Sequence, residues 1–520
     1  MLVARALKNS QLTGGESHAY FGDRTLKSMS EKLSRRRLLG GAAVLAGTAL
    51  LGRGTALGES EGQPQQPNRP RPRGQTPDLE GAPSISARTQ PAWMRPPHPV
   101  PGEPGRHYRP TFTPNGSTLP WKVVDGVKIM HLTAEEVEHE FVPASEDNQR
   151  LRALCWGYNG QVHGPTIECV EGDRLRIYVT NDLPAATTIH WHAMLVPSGM
   201  DGVGGLSQKA IQPGETYKYE FTVWQHGTFM YHSHHDEMTQ IALGMTGMIV
   251  VHPREPEPQP PDRDFVLLLH AWRIDVGTRR PNPNEMTEFN VLTMNARAFP
   301  GTAPLVAKLG DKVRIRLGNL SPMDHHPIHL HGHAFKIVAT DGGSIPETAQ
   351  WPQTSVLVAV GETRTVEFVA NNPGDWPLHC HMTHHVMNQM GHQFPNMIGV
   401  KPGDLDKRAR TVLSGFMTMG ENGMADMGSM GMKIPKNSVP MVGLQTPKDY
   451  ITMGGMYTNL KVRENLESYD KDPGWYQDPP GTLASLATKD ELQHDLGFVP
   501  GAQGREKPMN SMHVDHLARQ

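Results

Sequence analysis

Between about residue 110 and residue 402 the chain consists of short apolar runs broken by Gly, Pro, Asn and Asp. Arg174-Leu175-Arg176-Ile177 and Lys312-Val313-Arg314-Ile315 show the pattern, apolar and polar positions taking turns. A period of two puts every second side chain on one face, as a half-buried strand requires, whereas an amphipathic helix would show a period near 3.6. Helical periodicity is weak here, so the middle of the chain is expected to be all-β.

The pattern occurs twice. Asn159, Gly172-Asp173, Asn181 and His190-Trp191-His192 recur as Asn295, Gly310-Asp311, Asn319 and His329-Leu330-His331, at offsets of 136, 138, 138 and 139. Gly214-Glu215-Thr216 and His232-Ser233-His234 recur as Gly361-Glu362-Thr363 and His379-Cys380-His381, both at 147. Agreement of this kind marks an internal repeat of about 145 residues, the size of a Greek-key β-sandwich. Two such domains are expected, at 111–255 and 256–402.

The flanks differ. Ser34-Arg35-Arg36-Arg37-Leu38-Leu39 precedes an apolar stretch from Gly40 to Gly52 that Arg53 closes. This pattern resembles a twin-arginine export signal, with cleavage after Ala56-Leu57-Gly58 and a start at either Met1 or Met29. The stretch is too short to span a bilayer. Residues 1–58 are therefore read as an address, directing the protein to the periplasm or outside the cell. Residues 59–110, rich in Pro, Gln and Arg, read as a disordered linker. Residues 403–520 form an extension with Met417, Met419, Met424, Met427, Met430 and Met432 among Gly, Ser and Asp. That run is either a flexible low-complexity segment or a collector of Cu(I), which thioethers suit. Packing of the rest of the extension against the domains is expected.

Composition narrows the chemistry. A net charge of −3 provides no strong electrostatic pull toward nucleic acid or anionic membrane. Three Cys exclude a disulfide scaffold, while 27 His and 28 Met favour soft and borderline metals. Cys155 and Cys169 are left open as a disulfide or two buried thiols. Position makes the histidines informative. In His-x-His on a strand both imidazoles face one way and the middle residue the other. Four such pairs, His190/His192, His232/His234, His329/His331 and His379/His381, can hold about three metal ions. The Cys380 thiol then points into its own domain, where parity also directs His326. His385 and Met390 follow at spacings that complete a trigonal His₂Cys site with a weak axial Met. Ser233 replaces the thiol in the first domain, so only the second is expected to carry that site.

At these residues the chain resembles the multicopper oxidases. His326-Pro327-Ile328-His329-Leu330-His331-Gly332-His333 and His379-Cys380-His381-Met382-Thr383-His384-His385 are the most specific motifs. The resemblance covers roughly 150–402 and implies cupredoxin-like domains. It implies a type 1 copper at His326, Cys380, His385 and Met390, with Met387 a possible replacement for Met390. It assigns type 2 copper to His190 and His329. The type 3 pair falls to His192, His232, His234, His331, His379 and His381, making about four copper ions per chain. Asp201 resembles the acidic proton source near the cluster; an ordinary turn Asp is the alternative. His235, His325, His333, His384 and His392 are read as supporting or solvated.

Two domains instead of three imply the small laccase-like subgroup. That in turn implies a homotrimer whose clusters are shared between neighbouring subunits. The implied activity is one-electron oxidation of a reducing substrate, phenols and aromatic amines or Cu(I) and other metal ions, coupled to reduction of dioxygen to water. A copper nitrite reductase and a non-catalytic copper-binding protein are the alternatives. Substrate and redox potential are not legible in the residues.

Overall fold

The computed structural model describes residues 91–143, 151–275, 278–386, 443–449 and 451–500, with a few residues between 396 and 418. The arginine signal, the linker before residue 91, Met387, Met390, His392 and the methionines from 419 to 432 lie outside the described residues.

The repeat is a repeat of topology. In the first domain one sheet runs Trp121–Val124, Val127–Val142, Arg174–Asn181, Thr216–Thr222, with Leu151–Tyr158 also on Val127–Val142. Its partner sheet runs Ile167–Val170, Thr246–His252, Gly227–His232, His190–His192. In the second domain the first sheet is centred on Arg263–Trp272, Lys312–Asn319 and Thr363–Val369. The other runs Leu305–Lys308, Tyr457–Arg463, Gly374–Cys380, His326–Leu330, Ser355–Val358. Each domain has the same two parallel contacts: Val127–Val142 with Arg174–Asn181 and Ile167–Val170 with Thr246–His252 in the first, Arg263–Trp272 with Lys312–Asn319 and Leu305–Lys308 with Tyr457–Arg463 in the second. The fold is all-β, two cupredoxin-like sandwiches.

Alternation explains the packing. Arg174–Asn181 buries every second residue, and Leu175, Ile177 and Val179 enter the first core beside Trp191. The second core gathers Leu267, Ile315, Ile328, Leu330, Leu378 and Cys380. Where the domains meet, Met230, Met248, Val250, Val266, Leu268 and Leu320 pack together. Arg316 donates there to both Asp264 carboxylate oxygens at 2.8 Å and to Thr228 Oγ1 at 2.9 Å.

Two expectations change and one open alternative is decided. The stretch from 91 to 110 is anchored instead of forming a free linker. Gly102 N donates to buried Asp173 Oδ1 at 2.8 Å, and the Tyr108 ring stacks on His252. A Cβ at Gly102 would lie 2.1 Å from Val170, so only glycine approaches this closely. The second sheet does not end at residue 402: Tyr457–Arg463, taken from the extension, sits inside it between Leu305–Lys308 and Gly374–Cys380. Composition concealed this, because the strand lies beyond the Met-rich run. Finally, Cys155 and Cys169 are two free, buried thiols in different core clusters.

Candidate metal centre

Strand parity builds three groups of donors. On His190–His192, Trp191 is fully buried in the first core while both histidines face away from it. His190 and His192 pair in register with His232 and Met230, which places His190 opposite His232. His192 Nδ1 lies 3.2 Å from His232 Nε2, and the His190 ring is 5.4 Å from that of His234. His190, His192 and His232 each offer a nitrogen within 4.8 Å of the others.

The second domain repeats this group. His329 pairs with His379. His331 Nε2 lies 3.1 Å from His379 Nε2. The His329 ring stands 5.5 Å from that of His381. The same backbone device orients the rings in both domains. His232 Nδ1–H donates to Ser233 O at 2.8 Å and His379 Nδ1–H to Cys380 O at 2.9 Å. His190 donates to Asp201 O at 2.7 Å and His329 to Thr354 O at 2.7 Å. Each bond fixes a tautomer and leaves Nε2 free for a metal. Among the described residues no imidazole of one tetrad is in ring contact with one of the other.

Across the strand the third group is buried. Cys380 Sγ lies 3.4 Å from His385 Nδ1 and 3.7 Å from His326 Nδ1, with the two nitrogens 3.2 Å apart. All three residues are buried, and the segment through Pro327 stays extended, with His326 on the buried side. Burial pushes the Cys380 thiol up to about 12 and His385 down to about 4. Burial also holds His326 well below the usual imidazole range and His232 at about 3. Neutral imidazoles are the form that ligates metal, whereas the thiol must release its proton on binding. A thiol and two imidazoles converging on one dry point suit copper by donor type and by trigonal arrangement.

Three supporting residues, Ser321, Asp324 and Glu237, carried no signal in the sequence. Ser321 Oγ lies 2.7 Å from His326 Nε2, and Asp324 Oδ2 lies 3.7 Å from His385 Nε2. Glu237 Oε1 is 3.0 Å from His234 Nε2. Asp201 places a carboxylate oxygen 3.5 Å from His190 Nδ1 and is partly exposed. Of the neighbouring histidines, His325 accepts a hydrogen bond from Val360 N, and His333 is buried with Nδ1 3.3 Å from His331 O. Ser233 occupies the place of Cys380, but its hydroxyl donates to Gln240 Oε1 at 2.6 Å, to which Thr187 Oγ1 also donates at 2.7 Å.

Multicopper oxidase family models match residues 143–256 and 275–399, one on each sandwich. Copper resistance protein A of Escherichia coli is 32% identical over 40% of this chain and 42% of its own. A putative laccase-19 of Oryza sativa subsp. indica is 29% identical over 49% of this chain and 45% of its own. The chain thus spans under half the length of these relatives. A blue copper oxidase of Nitrosomonas europaea superposes with a TM-score of 0.46 at 25% identity, over 67% of this chain and 96% of that one. Both sandwiches are thus multicopper oxidase domains, and they carry the His-x-His and His-Cys-His motifs.

Proposed function

We propose that this protein is an oxidase that takes single electrons from a reducing substrate and passes four of them to dioxygen, forming two waters. One observation carries the reading. Cys380 faces a buried pair of imidazoles, His326 and His385, while its neighbours His379 and His381 face the opposite way, toward His329 and His331. Copper, when bound, supplies the one-electron acceptor at the first group and the dioxygen-reducing cluster at the second. His326, Cys380 and His385 would hold the type 1 ion, His190 and His329 the type 2 ion. His192, His232, His234, His331, His379 and His381 would hold the type 3 pair. Consecutive residues then join electron entry to oxygen reduction through covalent bonds. Asp201 would deliver protons beside His190, the role its nearby carboxylate supports.

Among the described residues the two tetrads make no ring contact with each other, so each can supply half a cluster. A head-to-tail ring completes every half-site only on closure, which supports a homotrimer. Export through the twin-arginine signal fits a protein that folds before it crosses the membrane. Among the described residues no helix is long and apolar enough to span a bilayer.

Within this reading a cuprous oxidase acting in copper tolerance is favoured over a phenol oxidase by the Met run and by the relative named copper resistance protein A. Nitrite reduction is disfavoured by Ser233, whose hydroxyl is committed to Gln240. The test is dioxygen uptake by the copper-loaded protein with Cu(I) and with a simple phenol, against Cys380→Ser. Uptake that disappears in the variant supports the oxidase. A Cu(I) preference lost on deleting residues 416–433 supports copper detoxification. Copper binding without uptake would leave a storage protein instead.

A further inference from the structure

The two domains share a pattern of backbone hydrogen bonds around Ser233 and Cys380, and the comparison exposes an interruption. In the first domain Ser233 N donates to Met245 O at 3.2 Å, and Met245 N donates to Gln240 O at 3.0 Å. In the second, Cys380 N donates to Met456 O at 3.0 Å, and Met456 N donates to His385 O at 3.1 Å. Ser233 matches Cys380, Gln240 matches His385, and Met245 matches Met456. Strand register agrees: His232 pairs with Thr246, the residue after Met245, and His379 pairs with Tyr457, the residue after Met456. Four residues separate Gln240 from Met245, but seventy separate His385 from Met456.

We infer that Met456, and not Met390, supplies the axial thioether of the type 1 copper, from the far side of an insertion that contains the whole Met-rich run. The inference rests on the copper reading of the site above. Parity supports it. Paired residues of an antiparallel ladder share a face, and the Tyr457 ring stacks on that of His379. Met456 therefore turns to the opposite face, as Cys380 does. Both are fully buried in the same core cluster. The spacing of five from His385 to Met390 is the spacing that joins Gln240 to Met245. In the second domain, however, the strand that follows the methionine is Tyr457–Arg463. The carbonyl of His385 and the amide of Cys380 are both engaged by Met456. The stretch of chain that includes the Met-rich run therefore leaves the domain after His385 and returns to it at Met456.

The experiment compares the copper-loaded full chain with Met456→Leu, Met390→Leu and Met245→Leu, reading the visible absorption, the EPR spectrum and the reduction potential of the type 1 copper. Leu is close to Met in volume, so the core tolerates it. The axial ligand tunes such sites, and loss of a donor costs Cu(II) more than Cu(I). Met456→Leu is expected to shift the absorption band and raise the potential. Met390→Leu and Met245→Leu are expected to leave both unchanged, the latter separating packing from ligation. If Met456→Leu loses the copper, Met456→Gln, which can coordinate, must regain it with altered EPR parameters, and failure to do so overturns the assignment. A shift in Met390→Leu as large as that in Met456→Leu, or no shift in either, also overturns it. A wild-type protein without any type 1 signal sinks the copper reading itself, and the assignment with it.

Discussion

Removing everything after residue 402 is the sharpest test of how the second domain is built. Sequence pattern places the domain boundary there, yet the cut removes an interior strand. Leu460 and Val462 on Tyr457–Arg463 are fully buried. Burying one such side chain contributes about 1.5–3 kcal/mol, so the two together contribute about 3–6 kcal/mol. The cut also strips the ladder partners from Gly374–Cys380 and Leu305–Lys308, opening two edges inside the sheet. Set against a whole-domain stability of about 5–15 kcal/mol, that loss should unfold the second domain. Leu460→Ala is the graded version and should cost about 2–5 kcal/mol. Thermal and urea unfolding of the apo-protein, followed by copper binding at Cys380, read both. A chain ending at 402 that melts cooperatively at the wild-type temperature and still binds type 1 copper would refute the reasoning. So would a Leu460→Ala cost under about 1 kcal/mol.

Three further outcomes are expected. Asp173→Asn should destabilise the first domain by about 3–5 kcal/mol in urea unfolding, because the fully buried Lys128 ammonium, 2.7 Å from Asp173 Oδ2, loses its counter-charge. Burial holds His139 down to about 4, so the unfolded chain takes up a proton near pH 6.5 that the native state refuses. Stability is then full above pH 6.5 and falls as pH drops toward 4, by up to about 3 kcal/mol for this residue. His139→Gln, which can still donate to Ala296 O, should reduce the difference between urea midpoints at pH 7 and pH 4.5, to which the other buried histidines also contribute; an unchanged difference contradicts this. Ser321→Ala frees the His326 ring from its 2.7 Å partner and should weaken type 1 copper binding about 10–100-fold in chelator competition. Equal affinity would show that packing alone orients that ring.

Much of this protein is local and therefore legible in its sequence. Strand alternation, the offset repeat and the His-x-His triplets follow from the two-residue period of an extended chain, which turns position into facing direction. That logic placed Trp191 in the core with His190 and His192 outside it, and it put Cys380 with His326 rather than with His379. Asymmetry between the domains followed from one residue, Ser233 in place of Cys380. The rest depends on contacts between residues far apart in the chain. Ser321 and Asp324 matter only because the fold brings His326 and His385 beside them. The anchoring of residues 91–110 depends on the carboxylate of Asp173 and on a gap that only Gly102 fills. Above all, the sequence determined which residue types could ligate copper and on which face of a strand each stands. Tertiary structure alone decided that the last strand of the second sheet is Tyr457–Arg463, because strand pairing rewards register and burial without regard to how much chain lies between the partners.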